Sequence, residues 1–137
     1  MKKLFLFCLL ASFCFVAQAK DANWMLIETD SPPDVATGFK IYADVNNILY
    51  KSSVALIVQK IVMDTPGNVH DIPNVKEVYT SIVFNCTRNM ISVGHVDMFD
   101  GDHKLLLNIP ERSAFFPIPS NSSFEQIEKL ACKKSFV

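Results

Sequence analysis

The sequence has few of the features that mark catalytic or nucleic-acid-binding proteins. It contains only four glycines, and they form neither a phosphate-binding loop nor a G-x-S-x-G nucleophile turn. Its 13 lysine and arginine residues are scattered along the chain, so the basic patch typical of nucleic-acid binding is absent. Beyond residue 19 there is no apolar run of the about 20 residues that a membrane-spanning helix needs. We therefore expect no nucleic-acid partner and no transmembrane helix in the mature chain.

The N-terminus has the pattern of a secretory signal peptide. Lys2 and Lys3 are followed by an apolar run over residues 4–16 and then by Ala17-Gln18-Ala19, the small-x-small pattern of a cleavage site. We predict a cleaved signal peptide at 1–19 and one mature domain at 20–137. Removal of the two lysines leaves a mature chain with a formal charge of −3.

Cysteine is also scarce once the signal peptide is removed. Cys8 and Cys14 lie in the predicted signal peptide, which leaves Cys86 and Cys132. Two cysteines in an exported chain predict one disulfide bond. Cys8 and Cys14 each follow a phenylalanine, whereas an acylated cysteine follows a small residue, so we do not expect a lipoprotein. The short basic start is typical of bacteria, and the predicted location is the periplasm, the cell surface or the medium.

The mature sequence predicts about six short strands followed by one helix. The apolar run at 54–62 is typical of a central strand that is covered on both faces. The predicted strands cover residues 24–27, 39–44, 48–50 (a short edge strand), 54–62, 78–84, 88–99 and 103–109.

Two segments between these strands predict loops. Residues 64–76 contain Pro66-Gly67-Asn68 and Pro73, which indicates a surface loop. Three prolines, at 110, 117 and 119, argue against regular structure after residue 109.

Asp100-Gly101 predicts a hairpin with a two-residue type I′ turn. That turn would pair Asp97 with Lys104 and would place His95 and His103 on opposite faces of the hairpin. The two histidines would then be unable to share a metal ion, and we expect no metal site.

The helix is the best-defined element of the sequence. Ser122 and Glu125 have the spacing of a capping box. An apolar stripe follows, and Cys132 lies in the last turn of the predicted helix. The stripe consists of Phe124, Ile127, Leu130 and Ala131. The predicted fold class is therefore α+β, an antiparallel sheet with one C-terminal amphipathic helix packed on it and tied by a disulfide.

No combination of residues predicts an enzyme. The serines lie mainly in predicted turns and at the helix cap, and a cysteine in a disulfide is not a nucleophile. Asp100 and Asp102 flank a predicted turn, where exposure to solvent accounts for two acidic residues without a catalytic role. We expect no catalytic residue and no cofactor.

Two segments have the character of contact surfaces. Phe115 and Phe116 lie between prolines and either contact a partner or cover the open end of the core. Asn68 and His70 lie in the predicted loop 64–76, where binding residues often occur. We predict a protein partner for these regions.

Several features occur together as they do in one known family. They are Trp24, Tyr42-Ala43-Asp44, the strand at 54–62, Asn85-Cys86-Thr87-Arg88, Phe99-Asp100-Gly101, Ile118-Pro119 and the helix that ends in Cys132. The chain thereby resembles the surface-adhesin protein E family of Gram-negative bacteria.

This resemblance implies a bent antiparallel sheet, a C-terminal helix and a non-enzymatic domain that binds host matrix or serum proteins. It also implies either a monomer or a homodimer. Trp24, Tyr42, Asp44 and Arg88 match family positions, and we assign them structural roles.

Two other functions stay open at this point. The chain could be a periplasmic structural or accessory component of an envelope assembly, which the missing lipid anchor favours. It could also carry a small ligand such as haem, with His70, His95 or His103 as the ligand.

Overall fold

The computed structural model describes residues 21–30 and 38–133, with the side chains of residues 28–30 excepted. The predicted signal peptide lies outside the described residues, so its cleavage stays a prediction. In the described ranges no helix combines the length and the apolar character that crossing a membrane requires.

The described residues form one antiparallel sheet of eight strands followed by one helix, which confirms the predicted α+β class. The short edge strand predicted at 48–50 is present, whereas the short strand Phe116–Pro117 was not predicted, because the prolines around it argued against regular structure. The elements are β1 (Trp24–Asp30), β2 (Phe39–Asp44), β3 (Leu49–Lys51), β4 (Val54–Val69), β5 (Ile72–Asn85), β6 (Met90–Phe99), β7 (Leu105–Arg112), β8 (Phe116–Pro117) and α1 (Ser123–Cys132).

The long hairpin of β4 and β5 forms the centre of the sheet. The strands lie in the order β1-β2-β4-β5-β6-β7, with β3 paired to the first part of β4 and β8 paired to the first part of β6. Neighbours in this order follow each other closely along the chain, so the sheet is a meander that needs no long crossover connection.

The two faces of the sheet differ. We call the face on which α1 packs the inner face and the opposite one the outer face. Side chains of β4 and β5 alternate between them, and the inner set is buried with Ile127 and Ala131 of the helix. That inner set includes Ala55, Ile57, Ile82 and Phe84. In the described chain no helix covers the outer face, so the prediction that 54–62 is covered on both faces is wrong.

The predicted disulfide is confirmed. Cys86 follows β5, Cys132 ends α1, and their Cα atoms are 5.6 Å apart. Both cysteines contact the buried core beneath the helix. The bond therefore ties the C-terminal end of the helix to the sheet.

The predicted helix cap is also confirmed. The Ser122 hydroxyl accepts a hydrogen bond from the Glu125 amide at 3.3 Å, and the Glu125 carboxylate accepts one from the Asn121 amide at 2.7 Å. Glu125 and Lys129 form an ion pair one turn apart at 3.9 Å.

The prediction of a surface loop at 64–76 is wrong. The strands β4 and β5 continue through this segment and meet at a two-residue turn, His70-Asp71, where both residues have positive φ (45° and 65°). Val75 is buried there in a second apolar cluster with Val78 and Met98. Burial of these side chains favours the extended hairpin over the loop that the proline and glycine suggested.

The predicted two-residue turn at Asp100-Gly101 is wrong as well. One Asp100 carboxylate oxygen accepts hydrogen bonds from the amides of Asp102 and Lys104, both at 2.9 Å. His103, rather than Gly101, has the positive φ (61°). This is the pattern of a three-residue hairpin loop, a type I turn that ends in a left-handed residue.

The longer loop and a register shift change the pairing that follows it. Asp97 lies opposite Asn108 instead of Lys104, and Phe99 lies opposite Leu105. The strand β7 then continues through Pro110 to Arg112. Proline is tolerated there because β7 is an edge strand of the main path of the sheet.

Candidate interaction surface

A single row of side chains crosses the outer face from β1 to β7. Each member lies directly opposite the next one on the neighbouring strand. We call this set the cross-sheet row, and it consists of Leu26, Tyr42, Lys60, Tyr79, Asp97 and Asn108. The row combines apolar, aromatic and charged groups on a face that α1 leaves open.

Lys60 lies in the middle of the row between two aromatic rings. Its Nζ atom is 4.3 Å from the centroid of the Trp24 ring and 5.3 Å from that of Tyr42. Both distances are within the range in which the negative face of an aromatic ring attracts a cation. These contacts hold the lysine stem against the sheet and order the first half of the row.

The aromatic contacts continue toward β7. The ring centroids of Trp24 and Tyr79 are 5.8 Å apart, and those of Tyr79 and Phe99 are 5.5 Å apart at an angle of 88°. The His103 ring follows at 6.4 Å from Phe99. All three contacts are edge-to-face, which is a favourable geometry for aromatic rings.

The Tyr79 hydroxyl donates a hydrogen bond to Glu77 Oε2 at 2.7 Å. Partial burial is the main factor that raises the pKa of the Tyr79 phenol well above its ordinary value of 10.0, and the hydrogen bond and the negative charge of Glu77 raise this pKa further. Tyr79 is therefore a hydrogen-bond donor at neutral pH.

A recess of about 360 Å³ opens on the outer face beside the second half of the row. Its volume is within the range of small-ligand sites. Aromatic, acidic and imidazole groups converge there. The lining residues are Val58, Tyr79, Thr80, Ser81, His95, Asp97, Phe99 and His103.

His95 and His103 both line this recess, so the prediction that they point to opposite faces of the hairpin is wrong. Two departures from ideal strand geometry bring them together. His95 is an unpaired residue at a bulge in β6, with φ of 53°, and His103 is the left-handed residue of the loop.

The two imidazoles each lie near a carboxylate. His95 Nε2 is 3.8 Å from Asp97 Oδ2, and His103 Nε2 is 3.8 Å from Glu77 Oε1. Among the side chains of residues 21–27 and 38–133, no three histidine, cysteine, aspartate or glutamate groups lie closely enough together to hold a metal ion.

A second cavity of about 490 Å³ lies on the inner face, and none of its lining residues belongs to α1. It is a mainly apolar groove, and Thr80 and His70 supply its polar groups. Its lining residues are Phe39, Ile61, Met63, Val69, His70, Val78, Thr80, Val96, Met98 and Ile109.

The structure separates the residues predicted as contacts. Phe115 is 46% exposed, whereas Phe116 pairs with Ile91 and packs against the core. Asn68 and His70 lie at the tip of the β4–β5 hairpin, toward the other end of the sheet. These residues do not form one surface.

The four residues that match the family pattern have different environments. Asp44 is buried and accepts hydrogen bonds from the amides of Asn23 and Asn46 at 3.0 and 3.2 Å, which joins the end of β2 to the start of β1. The Arg88 amide bonds to the Asn85 side chain in the turn after β5. Trp24 and Tyr42 lie on the outer face beside Lys60.

Sequence reasoning missed three members of this surface, Lys60, Tyr79 and Phe99. A signal was present for Lys60, because it is a charged residue within the otherwise mainly apolar run of a predicted strand. The proximity of Lys60 and Tyr79 to Trp24 depends on strand order, and one sequence does not contain that information.

Comparisons with known proteins identify no family for this chain. No family model matches the sequence, and no curated protein matches it. Among solved structures, the chain is distantly similar to protein E from non-typeable Haemophilus influenzae, with 11% sequence identity and a TM-score of 0.47. The aligned region covers 84% of this chain and 86% of that one.

Proposed function

We propose that the chain is an exported, non-enzymatic binding module that contacts a protein partner through the outer face of its sheet. The observation that supports this proposal is the cross-sheet row, with Trp24 and Phe99 packed beside it. Aromatic side chains are enriched at the centres of protein interfaces because they offer a large apolar area together with a polar group.

Two exposed leucines extend this surface toward both edges of the sheet. Leu26 on β1 is 52% exposed, and Leu105 on β7 is 50% exposed. Both pair with outer-face aromatic residues, Leu26 with Tyr42 and Leu105 with Phe99. A broad face with apolar side chains at its margins suits another protein surface better than an enclosed small molecule.

We further propose a host matrix or serum protein as the partner, which would make the chain an adhesin. The alternative is an envelope protein of the producing cell, which the lack of a lipid-anchoring motif favours. Protease treatment of intact cells separates the two. Cleavage of the protein supports the adhesin, and full protection supports the periplasmic component.

Photo-crosslinking tests the contact surface itself. A photoreactive residue at Leu26 reports on the outer face, and one at the neighbouring Met25 is the matched control. Met25 is 43% exposed but pairs with the inner-face residue Ala43. We expect a protein adduct from position 26 and not from position 25. Equal yields from both positions, or an adduct from position 25 alone, would contradict the proposal.

Phe115 remains a separate predicted contact. A photoreactive residue at this position tests it in the same experiment, because Phe115 lies outside the cross-sheet row. Adducts from position 115 without adducts from position 26 would indicate that the partner binds at the β7–β8 connection instead of the outer face.

A further inference from the structure

We infer that the recess beside the cross-sheet row holds the guanidinium group of an arginine side chain that the partner supplies. The identity of the donor rests on the proposed function. The chemistry of the recess rests on its own rings and carboxylates, and it can be tested without a partner.

The rings at the recess are suited to a cation. Tyr79 and Phe99 lie 5.5 Å apart at nearly a right angle, so the recess presents aromatic faces and edges in two directions. The same sheet face already holds one cation in this way, since Lys60 lies over Trp24 and Tyr42. Within the described chain, no lysine or arginine occupies the corresponding position over Tyr79 or Phe99.

The charges beside these rings have the complementary sign. Asp97 lines the recess, and Glu77 lies next to it through its bond to the Tyr79 hydroxyl. Asp97 accepts a hydrogen bond from the Asn108 side chain, and each carboxylate has a histidine at 3.8 Å. Since a carboxylate has about four acceptor positions, both groups can accept further donors.

One basic side chain lies at the far end of the recess. The Arg112 guanidinium donates to the carbonyl oxygens of Ser81 and Ser92, at 3.3 and 3.0 Å. Ser81 pairs with Gly94 near one end of the recess, and Glu77 pairs with Phe99 near the other end. Because Arg112 bonds to Ser81, it lies at the end opposite Phe99. Glu77 lies directly opposite Phe99, and Asp97 lies two residues before Phe99 on the same strand, so both carboxylates are at the Phe99 end of the recess.

A guanidinium fits these contacts better than an ammonium group does. It is planar and can stack on a ring while donating two parallel hydrogen bonds to one carboxylate. The recess provides both parts of this arrangement side by side, with Phe99 as the ring and Asp97 as the carboxylate. An ammonium group is not planar, so it can neither stack flat on the ring nor donate two parallel hydrogen bonds to the carboxylate.

The test is an NMR titration of the ¹⁵N-labelled mature protein with N-acetyl-arginine methylamide. The matched control ligand carries citrulline, which keeps the planar shape and lacks the charge. We expect saturable shifts of the amides that line the recess, and affinity for citrulline weaker by roughly tenfold. Equal affinity for the two ligands, or shifts confined to other regions, would overturn the inference.

Two variants localise the effect. Asp97→Asn keeps an oxygen to accept the Asn108 hydrogen bond and removes the charge, so we expect about tenfold weaker arginine binding. Asp102→Asn in the adjacent loop, outside the recess, should bind as the unmodified protein does. An unchanged affinity in Asp97→Asn would contradict the inference. The wild-type comparison of arginine with citrulline decides the question if that variant fails to fold.

The outcome is independent of the partner experiment. If arginine does not bind but position 26 gives cross-links, the arginine site is refuted and the proposed function is retained. If arginine binds but position 26 gives no cross-links, the proposed function is refuted and the arginine site is retained.

Discussion

The ammonium group of Lys60 lies 4.3 Å from the centre of the Trp24 ring. This contact joins a residue of the central strand β4 to one of the edge strand β1, across the intervening strand β2. It shows that the outer face is an ordered surface in which rings and charges are packed against each other. The effect of this order on stability can be measured.

Lys60→Met should lower the free energy of unfolding by about 0.5–1 kcal/mol, because it keeps the apolar stem and removes the cation. Lys60→Arg should retain most of the stability. Trp24 is the only tryptophan in the chain, so its fluorescence reports directly on this contact during urea unfolding. Equal stability of the Met and Arg variants would show that the charge contributes nothing.

Gly94→Ala should destabilise the contact between β6 and β7. A Cβ atom at residue 94 would lie 2.7 Å from Arg112 Cβ and 2.8 Å from the Glu111 carbonyl oxygen, closer than real Cβ contacts allow. Because part of the obstacle is backbone, β7 must shift, and we expect a cost of about 1–3 kcal/mol.

Gly101→Ala is the matched control for this change. Apart from its two chain neighbours, no atom of the described residues lies within 4 Å of its added Cβ, and Gly101 has no positive φ. Thermal unfolding should show an unchanged or slightly raised melting temperature for this variant. A smaller loss at residue 94 than at residue 101 would contradict the pairing of β7 with β6.

The raised pKa of the Tyr79 phenol predicts a loss of stability at alkaline pH. Since this pKa is higher in the folded state, the contribution is fully present below the unfolded pKa of about 10 and is lost as pH rises toward the folded value. Urea midpoints measured from about pH 8 to pH 11 should fall for the wild type.

Tyr79→Phe should reduce this fall. Burial also raises the pKa of Tyr50, so part of the pH dependence should remain in the variant. Identical pH profiles for the wild type and Tyr79→Phe would refute the assignment to Tyr79.

Loss of the disulfide should cost roughly 4 kcal/mol, as expected for a loop that spans 46 residues. The double variant Cys86→Ala/Cys132→Ala removes the bond without leaving a free thiol. Chemical denaturation measures the loss, and the reduced wild type is the control. A disulfide-linked dimer of the wild type on a non-reducing gel would contradict the intramolecular bond.

Local patterns predicted those parts of the fold that local chemistry determines. The capping box at Ser122 and Glu125 set the start of the helix, because its hydrogen bonds join residues close in sequence. The strand Phe39–Asp44 was predicted with its observed bounds. The disulfide followed from counting cysteines in an exported chain.

The errors arose where a side chain or a distant contact overrides the backbone preference. The Asp100 carboxylate binds two amides and so selects a three-residue loop, although Asp-Gly favours a two-residue turn. Residues 64–76 continue the hairpin because Val75 is buried against Met98. The contacts at Phe115, Asn68 and His70 stay predictions.

The central claim is that a protein partner binds the outer face of the sheet. Its most direct test compares two double variants. Leu26→Ser/Leu105→Ser changes the outer face, and Met25→Ser/Ile109→Ser changes similarly exposed residues of the same two strands on the inner face. Dissociation constants are measured for the partner identified by cross-linking. We predict at least about tenfold weaker binding for the outer-face variant and no change for the inner-face variant. Unchanged binding by the outer-face variant would contradict the account.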